Sequence, residues 1–162
     1  IDDIKFRIVR DNYLKKVDYE TIMFDMIRNK INDHEKILNS LFFEKEDLLT
    51  LDSCGHTIGL HTHTHPTNLS SLTYNEQKLE YSNCLNILSK ILKKPSNFIK
   101  TASHPLGSYN NDSLKILGEM GIELAFKDSM VVEKEKGMNK INNSNLEIAR
   151  CDHAEVLKMM SS

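Results

Sequence analysis

From Asp18 to Ile31, the apolar residues Ile22, Met23, Met26, Ile27 and Ile31 recur at the spacing of one helical face. Asp18 stands where such a helix takes its N-cap. Glu44 to Cys54 repeats the pattern, with Leu48, Leu49 and Leu51 expected inward and Gly55 closing the helix. "HTIGLH" (56–61) then reads as a short buried strand. "TYNE", Thr73 to Glu76, is a capping box. It opens a helix with Leu79, Leu85, Leu88, Ile91 and Leu92 on or near one face, finished before Pro95. "NFIKTAS" (97–103) is the next strand. "YNNDSLKILGEMGI" (109–122) predicts a cap at Asn110 or Asn111, a helix carrying Leu114 and Leu117, and a stop at Gly121. "IELAF" (122–126) follows as a strand, and "NLEIA" (145–149) as another after a polar loop rich in Lys, Glu and Asn.

Strands alternating with helices predict parallel βα units, hence an α/β fold. Residues 1–36 are helix-rich without strand signals and are expected to form a helical insertion or cap on a domain spanning 37–162. A chain of 162 residues suffices for one domain with a proper core. Lys plus Arg number 21 and Asp plus Glu 23, a net charge of -2. No basic face therefore points to a nucleic-acid partner or to acidic lipid, and no apolar run is long enough to span a membrane. Cys54, Cys84 and Cys151 are odd in number and far apart, so they fit neither a disulfide framework nor a CxxC zinc site. Buried or half-buried free thiols are expected, which favours a reducing, cytoplasmic compartment. The chain opens at Ile1 rather than Met and is read as a fragment, so a lost signal peptide stays open.

Three of the seven histidines lie in "GLHTHTHP" (59–66). Spacing i, i+4 brings His61 and His65 to one side of either an extended or a helical backbone. His63 joins them only if the segment is extended. Pro66 argues against a continuing helix, so the segment reads as a strand end passing into a loop, where α/β folds build their sites. Two neutral imidazoles on one face can chelate a metal. His56, before the strand, and His34 read as structural or exposed.

"GHTIGLHTHTHPTNLSSLTYNEQ" resembles the second motif of the polysaccharide deacetylases, the NodB-homology family: a strand delivering a His-Ser/Thr-x-x-His pair, often followed by proline and a Leu-Ser/Thr turn into a helix. His61, Thr62, His65 and Pro66 stand at the matching positions. About forty residues later, "SHPLGSYNNDSLKILGEMGIELAF" resembles the third motif, with Pro105, Gly107 and Tyr109 matching. The likeness is firm over Leu48 to Phe126 and looser at "LEIARCD". The family's early Thr-Phe-Asp-Asp-Gly motif has no counterpart; "IDDI" and "MFDM" are poor substitutes, and the first strands are expected upstream of Ile1. The third-motif arginine is also missing, with Ser103 or His104 in its place, and Leu106 replaces the usual aromatic. The last motif's histidine has Asp152 and His153 as nearest candidates.

The resemblance implies a distorted or incomplete (β/α) barrel, with a divalent metal, zinc above others, held by His61, His65 and an upstream aspartate. It implies hydrolysis of the carbon–nitrogen amide bond of an N-acetylated amino sugar or polysaccharide. A backbone N–H near Leu106 would stabilise the oxyanion, and Gly107 would let the chain pass close to substrate. Tyr109 has two readings, stacking on a sugar ring or packing at the helix entry. His104 also has two, a stand-in for the arginine or a solvated loop residue. His153 beside Asp152 is a candidate general acid, although neighbours in extended backbone point to opposite faces. Without its aspartate motif this chain alone is expected to be nearly inactive. Two rivals remain open: an H-x-H hydrolase of the amidohydrolase or PHP type, from the H-x-H within "HTHTH" (61–65), and a degenerate domain that binds metal or glycan without chemistry.

Overall fold

In the computed structural model, residues 2–31, 37, 41–134, 137–151 and 153–160 are described. The expected boundary at 36/37 and His34 lie outside the described residues. The chain divides instead into a unit Ile1–Asp47 and a unit Leu48–Ser162.

The first unit holds α1 (Asp2–Asn12) and α2 (Lys16–Lys30), and its helix-rich character is as expected. Asp18 is not the cap of α2. Lys15 occupies that position without a side-chain bond, and Asp18 lies in the first turn, where a carboxylate complements the helix dipole instead. The face expected inward also differs: Ile22, Met26 and Ile27 are exposed. Tyr19 lies near Phe6, with ring centres 6.4 Å apart.

Next along the chain, α3 (Lys45–Ser53) ends on Gly55, whose φ of +84° is the left-handed conformation that closes a helix. The His56 N–H returns to the Leu51 carbonyl at 3.0 Å. Leu48 and Leu51 are half-buried, but Leu49 is exposed. Then comes α4 (Tyr74–Leu92), opened by the predicted box: Thr73 accepts from the Glu76 N–H, and Glu76 accepts from the Thr73 N–H at 2.8 Å. Its buried stripe runs through Gln77, Tyr81 and Leu92. Leu79, expected on that face, is 60% exposed, because a step of two residues from Gln77 or Tyr81 turns it to the far side of the helix.

Two strands are formed among the described residues, β1 (Thr101–Ser103) and β2 (Leu124–Phe126), paired in parallel with Ala102 opposite Ala125. The outer predicted strands contract to single parallel bridges, Leu60 to Ala102 and Phe126 to Ile148. The α/β reading with parallel strands therefore holds, with shorter pairing than the sequence suggested. Between the strands lies α5 (Asn111–Glu119), whose cap is Asn110: its side chain accepts from the Ser113 N–H, and Ser113 Oγ accepts from the Asn110 N–H, both at 3.1 Å. Leu60, Ala102 and Ala125 face Tyr81, Leu92, Ile116 and Leu117 in one core. Period-2 alternation turns the neighbouring residues to the other face. Gly59, His61, Thr101, Ser103, Leu124 and Phe126 there line a concavity of about 470 Å³.

The chain closes with α6 (His153–Met160). None of the described helices is long and apolar enough to cross a membrane. Cys84 and Cys151 are half-buried free thiols as expected, whereas Cys54 is exposed.

Candidate functional site

His61 follows the Leu60 bridge, at the carboxyl end of its extended segment. Its Nδ1 lies 2.8 Å from the Ser103 carbonyl oxygen. A carbonyl can only accept, so Nδ1 carries the proton and Nε2 keeps its lone pair. That is the state a metal-ligating imidazole needs. The ring's pKa is lowered, first because burial disfavours the cation; the Ser103 bond works against this, while His65 and Arg150 add to it.

Between His61 and His65 the chain reverses through two left-handed residues, Thr62 at φ +64° and His65 at φ +50°. Each costs about 1–2 kcal/mol for a residue with a Cβ. Strain of this kind persists only where surrounding bonds enforce it. Glu80 on α4 supplies such bonds: its carboxylate accepts the N–H groups of His63 and Thr64 at 3.0 and 2.7 Å and the Thr64 hydroxyl at 2.6 Å. The result is an edge-to-face pair, the His61 and His65 ring centres 4.9 Å apart. Two imidazoles sharing one tetrahedral ion at about 2.1 Å have centres about 5 Å apart, so the pair fits two positions around one metal. Among the described residues no group of three His, Cys, Asp or Glu side chains forms around them.

The loop after β1 starts beside the pair, as the Ser103 bond requires. It is pinned by Ser108 Oγ, which accepts the Ser70 N–H at 3.0 Å, and by Asn110, whose amide donates to the Ser70 carbonyl at 2.9 Å. Of the two readings of Tyr109 it is the packing one that its burial fits. His104 is no solvated loop residue: it is 2% exposed, with Nε2 2.9 Å from the Leu146 carbonyl oxygen. The Tyr109 ring stacks on it at 4.3 Å. Tyr109 is itself 3% exposed, so it presents no face to a sugar. Its hydroxyl donates to Glu133 at 2.9 Å, and burial first, then that bond, pushes its pKa up. Both residues therefore pack beneath the loop. Pro105 is buried as well. Leu106 is 54% exposed at φ +50°, and it alone of this group is turned outward. At Gly107 the close neighbour that a Cβ would meet is the carboxylate of Asp128.

At the far end, His153 opens α6 and is exposed. The "HAEVLKMM" run has helical spacing and an acidic first turn, so it does not extend a strand. Asp152 lies outside the described residues. The charged group from this end that acts on His61 is Arg150.

Three contributors were missed. Glu80 was legible in principle: α4 returns from the carboxyl end of the strands, so an acid in its first two turns lies near the histidines. Arg150 sits just after the last strand signal. Lys127, buried and 3.5 Å from Glu133, had no sequence signal, since a lysine next to a strand is ordinarily solvated.

Parallel strands joined by helices, with facing imidazoles at the carboxyl end of one strand, define the class: an α/β protein with a candidate metal centre where such folds build their sites. The sequence profile of the polysaccharide deacetylase family matches residues 11–125, and the chain belongs to that family. Its fold is similar to those of solved deacetylases. The Streptococcus pyogenes deacetylase PplD, solved in complex with acetate, is 16% identical with a TM-score of 0.58, over 96% of this chain and 76% of its own. The deacetylase domain of BpsB from Bordetella bronchiseptica is 12% identical (TM-score 0.53), over 68% of this chain and 48% of its own. IcaB from Ammonifex degensii is 16% identical (TM-score 0.54), over 74% and 53%. The chain thus spans about half the length of the latter two. No curated protein sequence matches it.

Proposed function

We propose that this chain is a metal-dependent hydrolase that removes N-acetyl groups from an amino sugar or polysaccharide. The observation that carries the reading is the His61–His65 pair, with its 4.9 Å edge-to-face geometry and with Nε2 of His61 left as a donor. On this reading His61 and His65 hold a divalent ion, zinc by the character of the donors. Bound there, the ion supplies a Lewis acid toward an acetamide carbonyl. Ser103 fixes the tautomer and direction of His61. Leu106, exposed at the tip of its loop, borders the substrate path, and the concavity along Gly59, His61, Thr101 and Ser103 receives the sugar. The parallel segments at Leu60, β1, β2 and Ile148 form, on this proposal, an arc of a (β/α) barrel whose interior face is that concavity.

A second reading is binding without chemistry. It is supported by His104 and Tyr109, which stand in the third-motif stretch yet are buried against each other. The H-x-H hydrolase reading is weaker, because the ring that meets His61 is that of His65.

The test is acetate release from N-acetylglucosamine oligomers, with and without zinc, by the parent chain and by His61→Ala. With only two donors described, turnover is expected to be slow. Zinc-dependent release that His61→Ala removes supports the hydrolase. Binding of zinc and oligomer without release supports the second reading. Failure to bind zinc, or release indifferent to His61→Ala, overturns both.

A further inference from the structure

The Glu80 side chain ties the turn between the two histidines to α4. Its two oxygens divide the work: Oε2 accepts from the backbone of His63 and Thr64, and Oε1 from the Thr64 hydroxyl. Those two residues lie between the left-handed Thr62 and the left-handed His65. Consecutive N–H groups that converge on one oxygen form a nest, a backbone concavity that wants an anion. In this turn the anion is built in. Its carrier, α4, is itself fixed by the Thr73–Glu76 box and by Gln77 and Tyr81 in the core. Through Glu80 this helix thus meets the turn at His63 and Thr64.

We propose that Glu80 is a positioning residue for the metal pair, acting through the backbone of residues 63 and 64 rather than on the metal. The proposal rests on the reading of His61 and His65 as metal ligands. Without the carboxylate, the two N–H groups lose their shared acceptor and the turn no longer has to hold its two left-handed residues. His65 would then sample orientations away from His61, and an ion would meet one fixed imidazole and one loose one. Glutamine keeps one acceptor oxygen without the charge, so Glu80→Gln should lie between the parent and Glu80→Ala.

The experiment uses the 162-residue chain and zinc as the probe, with parent, Glu80→Ala, Glu80→Gln and His61→Ala. Calorimetry gives zinc affinity; amide hydrogen exchange gives the protection of His63 and Thr64; thermal unfolding checks that each variant is folded. The expected results are a zinc affinity lower by roughly 10–100-fold in Glu80→Ala, the usual range for groups that orient metal ligands. Partial rescue in Glu80→Gln and faster exchange at residues 63 and 64 in zinc-free Glu80→Ala should accompany it. If Glu80→Ala binds zinc as tightly as the parent while His61→Ala does not, the positioning role is overturned and the metal reading stands. If the parent binds no zinc, the metal reading fails and the positioning role fails with it, whatever the exchange shows. If Glu80→Ala does not fold, Glu80→Gln decides: parent-like affinity and parent-like protection at 63 and 64 overturn the proposal.

Discussion

His61 donates its Nδ1–H to the carbonyl oxygen of Ser103, 2.8 Å away on β1, and this bond decides which nitrogen is offered to the site. The backbone of one strand sets the tautomer of a histidine on the next, so the donor direction is a property of the sheet.

The three histidines of the motif should separate on substitution. His61→Ala and His65→Ala are each expected to abolish most zinc binding, because one remaining imidazole cannot chelate. His63→Ala should change it little. Calorimetry near neutral pH on the three single variants reads this directly. Equal losses for His63→Ala and His61→Ala would favour an H-x-H site over the pair.

The lowered pKa of His61 gives a pH dependence with a definite sign. Its ordinary value is 6.5, and burial is the first cause of the lowering. Below pH 6.5 the unfolded chain takes up the proton more readily than the folded one. Stability therefore falls as pH drops from about 6.5 to the folded midpoint, and the loss is complete below it. Above that window His61 contributes no pH dependence. Zinc affinity should weaken in the same acidic direction, since the ion competes with protons. An NMR titration of the His61 ring protons is the check, and a midpoint at or above 6.5 contradicts it.

Lys127 holds together the polar cluster beneath the third-motif loop. Its side chain is 1% exposed; Nζ donates to the Val131 carbonyl at 3.1 Å and pairs with Glu133 at 3.5 Å. Lys127→Met removes this buried ammonium from the Glu133 carboxylate, which also accepts from Tyr109. A loss on the order of 3 kcal/mol is expected for one partner removed from a buried pair. Urea unfolding measures it, and an unchanged midpoint would show that the pair contributes nothing net.

The order of elements in the second unit was legible, as were both caps, because capping boxes and helical periodicity are local signals. Thr73 with Glu76 and Asn110 with Ser113 are each settled within four residues. Strand length was less legible. "HTIGLH" and "NLEIA" have strand composition, yet only Leu60 and Ile148 are bridged, since pairing depends on the neighbouring strand. That His61 and His65 face each other could be read from spacing. The fates of His104 and Tyr109 could not, because each is buried by residues from distant parts of the chain, Leu146 and Glu133. A motif position fixes where a residue stands along the chain; whether its side chain faces the substrate or the interior depends on packing.

The Ser103 bond of His61 and the Leu146 bond of His104 each span 42 positions of sequence. Contacts of that range form only after the intervening helices have closed their loops, and such closures slow folding. A peptide cut from residues 59–66 would contain every imidazole of the motif and none of the constraints that aim them. On the proposed metal reading, zinc affinity would report folding order as well as ligand chemistry: it would arise when α4 and β1 have docked and vanish with them.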